Sequence, residues 1–132
     1  MTITTEILKS ASDKYYIGKS GCLYDKESMN KAMKEYMARE EKYGCVHNSY
    51  DTKMDISISD VSHKVTTTEI TDDGDIKVSA KILDTPQGNI VRSIMDMHTT
   101  PLELVPTWYG SCLDDGTYAV TSIRSFDIKQ SK

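Results

Sequence analysis

The side chains that could carry acid–base chemistry near neutral pH are three histidines, His47, His63 and His98. A mechanism that moves protons at that pH would use one of them. His47 falls in a polar, turn-rich stretch after an amphipathic segment, the setting in which functional residues gather. His63 falls inside a β-patterned run, where a structural hydrogen bond is the commoner role. His98 follows a helical pattern, where a cation favours the carbonyl end of the helix and capping explains it. Candidate nucleophiles cluster near the one tryptophan: Thr107, Ser111 and Cys112, none of them in a G-x-S-x-G elbow. Cys22, Cys45 and Cys112 are too widely spaced for a zinc site and odd in number for a disulfide framework, so they read as reduced thiols. Asp60, Asp84 and the Asp72–Asp75 turn lack the twelve-residue loop with a terminal Glu, so calcium is not indicated. No metal and no cofactor are expected.

Those residues need a scaffold, and 132 residues are enough for one domain with its own hydrophobic core. With 38% hydrophobic and 27% charged residues the composition is that of a globular chain. A net charge of -4 and a pI near 5.3 argue against broad contact with a phosphate backbone, so nucleic acid is not an expected partner. The first residues lack the apolar core of a signal peptide, and no run reaches the length of a membrane span. The expectation is a soluble protein made in a cytoplasm.

The strongest local signal lies in residues 78–96. Val78, Ala80 and Ile82 alternate with Ser79, Lys81 and Leu83, the period of a strand with one buried face. Thr85 then suits an N-cap and Pro86 suits N1, and Ile90, Val91, Ile94 and Met95 give the following helix an apolar side. A second helix is capped by Asp25 and carries Met29, Ala32, Met33, Tyr36 and Met37 on one face. It is expected to run to about Lys42 and stop at Gly44. Its methionine stripe could form a partner groove, although packing on a sheet is the more frequent use.

Around these, Tyr15 to Ile17 before Gly18 and Gly21 reads as a strand closing in a turn. Met54 to Ile58 and Val61 to Ile70 read as two further strands. Asp73-Gly74 and Asp115-Gly116 mark hairpin turns. Leu102 to Val105, Tyr118 to Ile123 and Phe126 to Ile128 continue the β character, with Pro106 restricting pairing. Residues 1–14 are read as a mobile arm or an edge strand, 15–128 as a single domain and 129–132 as a polar tail. Six or seven strands with two helices predict an α+β fold, a mostly antiparallel sheet or small barrel flanked by helices.

The run GCVH at 44–47, SDVSHKV at 59–65, DDGD at 72–75 and AKILDTPQGNIV at 80–91 resembles, in this order, the prohead core proteases of T4-like tailed phages. These are serine proteases of capsid maturation. SDVSHKV and KILDTPQGNI carry the likeness, which extends over residues 18–128. The resemblance implies the herpesvirus-assemblin type of fold, a barrel-like sheet flanked by helices, and puts His47 at the position of the catalytic base. Gly44 to His47 is one residue shorter than the family's Gly-x-x-x-His-Pro spacing, and Asn48 replaces the proline. Where the family has V-S-S-R-G, this chain reads Val105-Pro106-Thr107-Trp108-Tyr109-Gly110, without the serine pair or the arginine.

The implied protein is a degenerate member that keeps the fold and a binding surface without the chemistry. It would be a non-catalytic phage head protein made in the host cytoplasm and located in the virion, binding capsid, scaffold or assembly proteins, in many copies of a symmetric assembly. A minor capsid or decoration protein and a regulator of a true protease both fit. Trp108 and Tyr109 are the aromatic anchors such binding would use, and a core role for them is equally open. The alternative is an active prohead protease with His47 as base and Thr107, Ser111 or Cys112 as nucleophile.

Overall fold

The computed structural model describes residues 1–47, 56–97 and 101–130. In chain order these form β1 (Thr2–Ser10), β2 (Tyr15–Gly18), β3 (Leu23–Asp25), α1 (Lys26–Met37), β4 (Tyr43–Gly44), a 3-10 turn at Ile58–Asp60 and β5 (His63–Ile70). There follow β6 (Ile76–Ile82), α2 (Pro86–Asp96), β7 (Leu102–Cys112) and β8 (Tyr118–Gln130). All strands join one sheet in the order β4-β5-β6-β1-β2-β3-β8-β7. Its ladders are antiparallel except β3 on β8. The sheet curls far enough that Val46, two residues past β4, makes an isolated parallel bridge with Ile128 of β8. The near-closure brings β4, at one end of the strand order, beside β8, close to the other.

Local sequence explains most of this. Ile76, Val78, Ala80 and Ile82 are all buried and alternate with more exposed neighbours along β6. Gly74 and Gly116 sit at φ 84 and 85 in the two Asp-Gly turns, the left-handed backbone that glycine adopts without strain. The side chain of Thr85 accepts from the Gly88 amide at the start of α2, with Pro86 in its first turn. Asp25 accepts from the Ser28 amide at the start of α1. The α1 face of Met29, Ala32, Met33 and Tyr36 is buried, so the methionine stripe is core. Tyr36 and Phe126 meet edge to face with centroids 5.3 Å apart and fix α1 on β8.

Four expectations need correcting. Residues 1–14 are neither a mobile arm nor an edge strand. β1 lies inside the sheet between β6 and β2, with Ile3, Ile7 and Leu8 buried. A register shift between Glu6 and Leu8 lets the adjacent Ile7 and Leu8 both turn inward, which breaks the simple alternation. Next, α1 stops at Met37 with Ala38 as its C-cap, well before Lys42. Gly44 belongs to β4, where its missing side chain has another use. Third, the strand expected over 54–58 is not seen in its described part: Ile58 opens the 3-10 turn and is 92% exposed. Finally, Pro106 does not end β7, which runs on to Cys112. β7 ends the strand order, a place where a residue without an N–H is tolerated.

Candidate functional site

Two polar centres sit where the curled sheet nearly closes. The first is His63, the opening residue of β5 and fully buried. Its Nε2 lies 2.6 Å from the Phe126 carbonyl and its Nδ1 lies 2.7 Å from Ser62 Oγ. A carbonyl only accepts, so Nε2 carries the proton and Nδ1 accepts from the serine hydroxyl. The ring fits only because Gly44 lies against it: a Cβ there would stand 2.1 Å from Nε2. Burial pushes the His63 pKa down, against the opposing pull of the Phe126 carbonyl and the Asp127 charge. The Ser62–His63 contact has the hydrogen bond of a nucleophile–base pair, but both residues are fully buried and the far nitrogen is on a main-chain carbonyl. It ties β5 to β8.

The second centre is Asp127 on β8, also fully buried. Four nitrogen and oxygen donors converge on its two oxygens, with the Cys45 thiol as a fifth donor. The Cys45 amide (3.1 Å) and Ser125 Oγ (2.9 Å) reach Oδ1, and Thr107 Oγ1 (2.7 Å) and Arg124 Nη2 (3.0 Å) reach Oδ2. The register of β7 on β8 shifts between Thr107 and Trp108, which pair with Ser125 and Ile123, so Arg124 is the extra residue of a bulge. A bulge re-aims its side chain, and here the guanidinium meets the carboxylate three residues on. The Cys45 sulfur lies 3.6 Å from Oδ1 and 3.7 Å from the Arg124 guanidinium.

The candidates read from the sequence are spread around these centres. His47 is half-buried. Its amide donates to the Ile128 carbonyl at 2.8 Å, and its buried Nδ1 has no hydrogen-bond partner among the described residues. With Val46 it lines a groove of about 440 Å³ against Ile90, Val91, Ile94 and Met97. Thr107 engages Asp127, from the opposite edge of β8. The two candidates therefore flank adjacent β8 residues without a hydrogen bond between them. Ser111 is exposed and four residues further along β7, about 13 Å at ordinary strand rise. Cys112 beside it is exposed. Trp108 is half-buried and meets Tyr24 edge to face with centroids 5.1 Å apart. Tyr109 is half-buried, and its carbonyl accepts from Thr121 Oγ1. His98 lies outside the described residues. No disulfide joins the cysteines, and no cluster of three or more His, Cys, Asp or Glu suited to a metal exists among the described residues.

Asp127, Arg124 and Ser125 escaped the sequence reading, which left 124–125 as a gap between two strands. The available signal was an Arg and an Asp inside the run Ile123 to Ile128, where all six residues are buried.

No family model and no curated protein matches this sequence. Among solved structures the chain is similar to the capsid assembly protease of bacteriophage T4, with a TM-score of 0.70 and 12% identity over 99% of this chain and 82% of that one. The likeness is one of fold. Among the described residues no helix is long and apolar enough to cross a membrane.

Proposed function

We propose that this chain is a non-catalytic phage head protein that keeps a prohead-protease-like fold of the herpesvirus-assemblin type and binds capsid or head-assembly proteins. It acts as a minor capsid or decoration protein or as a regulator of a protease, after synthesis in the host cytoplasm. The observation that carries the reading is the Thr107 hydroxyl. At the position where the resembled family holds its nucleophile, it donates to Asp127, whose oxygens also take Arg124, Ser125 and the Cys45 amide. A nucleophile needs a base that accepts its proton and is itself open to do so, and His47 makes no hydrogen bond to Thr107. Pro106 and the bulky Trp108 flank the position, where a substrate strand and an oxyanion would have to approach. The fold shared with a capsid assembly protease supports a place in the head.

Two measurements test this together. Quantitative mass spectrometry of purified virions is expected to find the chain intact and in many copies. Incubation with capsid and scaffold proteins of the same phage is expected to leave both uncut. Cleavage abolished by Thr107→Val or His47→Ala would overturn the reading in favour of an active protease.

A further inference from the structure

Two patches at opposite ends of the β7–β8 hairpin are complementary in polarity and charge. One is the groove beside α2, at the end where Leu102 pairs with Gln130. Its rim carries Val46, Ile90 and Met97, which are 45%, 53% and 64% exposed. Lys129 and His47 are part of its polar lining, and no described Asp or Glu lines it. The buried Nδ1 of His47 has no hydrogen-bond partner among the described residues. Exposed apolar side chains around an unsatisfied buried nitrogen favour a groove that is covered.

The other patch is the hairpin turn, just past the pairing of Cys112 with Tyr118. Residues 110–116 are all exposed, yet the turn is fixed in shape. Leu113 N donates to Thr117 O at 2.7 Å and Gly116 N to Leu113 O at 3.0 Å. Asp115 accepts from the Thr117 amide and hydroxyl and from the Tyr15 hydroxyl. A preorganised turn loses little freedom on docking. This one presents Leu113, 42% exposed, next to the exposed Asp114. The other acidic turn, Asp72-Asp73, differs because its apolar neighbour Ile70 lines a pocket along α1 with Met33 and Met37.

The length of β7 separates the two patches by about 34 Å at ordinary strand rise, so no copy can seat its turn in its own groove. With a net charge of -4, two copies repel one another on average. The groove, with its lysine and histidine, is a surface that an acidic turn can approach. We infer that the chain assembles head to tail, the 113–115 turn of one copy entering the groove of the next. Leu113 packs among Val46, Ile90 and Met97, and the Asp114 carboxylate faces Lys129 and His47. The two surfaces differ, so the contact is heterologous, closing into rings or extending as filaments. One turn in a groove of about 440 Å³ covers less than a standard interface, so association is weak and governed by local concentration. The contact needs no other protein, so it stands or falls apart from the proposed role in the head.

The test is light scattering on the full chain from about 0.01 to 1 mM, the range suited to a small interface. The wild-type mass is expected to rise with concentration, with the His47 ring ¹⁵N resonances shifting in parallel. Leu113→Ser and Ile90→Glu change exposed side chains, so each should fold, and each should stay monomeric over the same range. Mixed in equal amounts they should form a dimer and nothing larger, because the first keeps an intact groove and the second an intact turn. Asp114→Asn should weaken association about threefold. A monomeric wild type would overturn the inference, as would self-association of Leu113→Ser or a mixture that stays monomeric. Should Ile90→Glu not fold, Val46→Glu takes its place.

Discussion

Replacing Asp127 by Asn removes one charge and almost no volume, so its effect isolates the electrostatic and hydrogen-bonding role of the carboxylate. The carboxylate receives four nitrogen or oxygen donors and the Cys45 thiol, and offers none. A carboxamide has one oxygen and one NH₂, so whichever way it turns, two hydrogens face donors. With the NH₂ in the Oδ1 place it meets the Cys45 amide, which cannot rotate; in the Oδ2 place it meets the Arg124 guanidinium. The Arg124 side chain is 3% exposed, so water gives it little help. Breaking a buried ion pair from one side costs about 3 to 5 kcal/mol, and the lower figure applies because the Asn oxygen still satisfies two donors. At an m-value of about 2 kcal/mol/M, 3 kcal/mol moves the urea midpoint by roughly 1.5 M. The assay is urea unfolding followed by circular dichroism, with Arg124→Met and the double variant completing a cycle. A coupling of about 1 to 3 kcal/mol is expected, since the double variant no longer buries either charge. A loss below about 1 kcal/mol for Asp127→Asn would refute the claim that this carboxylate organises the closure of the sheet.

Gly44→Ala would place a Cβ 2.1 Å from His63 Nε2 and 2.5 Å from the Phe126 carbonyl, where main chain cannot yield; a loss of about 3 kcal/mol is expected by thermal unfolding. Thr85→Ala deletes a hydroxyl that accepts from the Gly88 amide and donates to the Val61 carbonyl, and about 1 to 2 kcal/mol should be lost from the denaturant midpoint. Trp108→Ala removes the ring packed on Tyr24 and should lower stability by about 2 kcal/mol. Co-sedimentation of that variant with capsids then separates the two roles of Trp108, since a partner anchor loses binding and a core residue does not. Ile58→Lys changes a side chain that is 92% exposed, so stability should stay within about 0.5 kcal/mol of wild type.

What could be read from the sequence was what local geometry decides. The β6 alternation, the Thr85-Pro86 start of α2 and the two Asp-Gly turns each depend on a few neighbouring residues, and each is present. What was missed depends on distant partners. In β1 the adjacent Ile7 and Leu8 look like a failed alternation until the register shift against β6 is known. In α1 the charged residues after Met37 are good helix formers, and nothing local marks the stop at Ala38. Gly44 looked like a helix terminator because glycine often is one. Its actual constraint is a histidine ring 19 positions away in sequence.

The same reasoning bears on the candidate chemistry. A sequence shows which residues could act as acid, base or nucleophile, but not whether their lone pairs and protons are already engaged. Ser62, His63, Thr107 and Asp127 are all plausible on type, and the fold pairs each of them with another: Ser62 with His63, His63 with the Phe126 carbonyl, Thr107 with Asp127, Asp127 with Arg124. Together they form a satisfied polar core at the closure of the sheet, where each bond stabilises the contact of β4, β5, β7 and β8. His47 differs, with a buried ring nitrogen that no described residue satisfies, in the groove beside α2 rather than on Thr107.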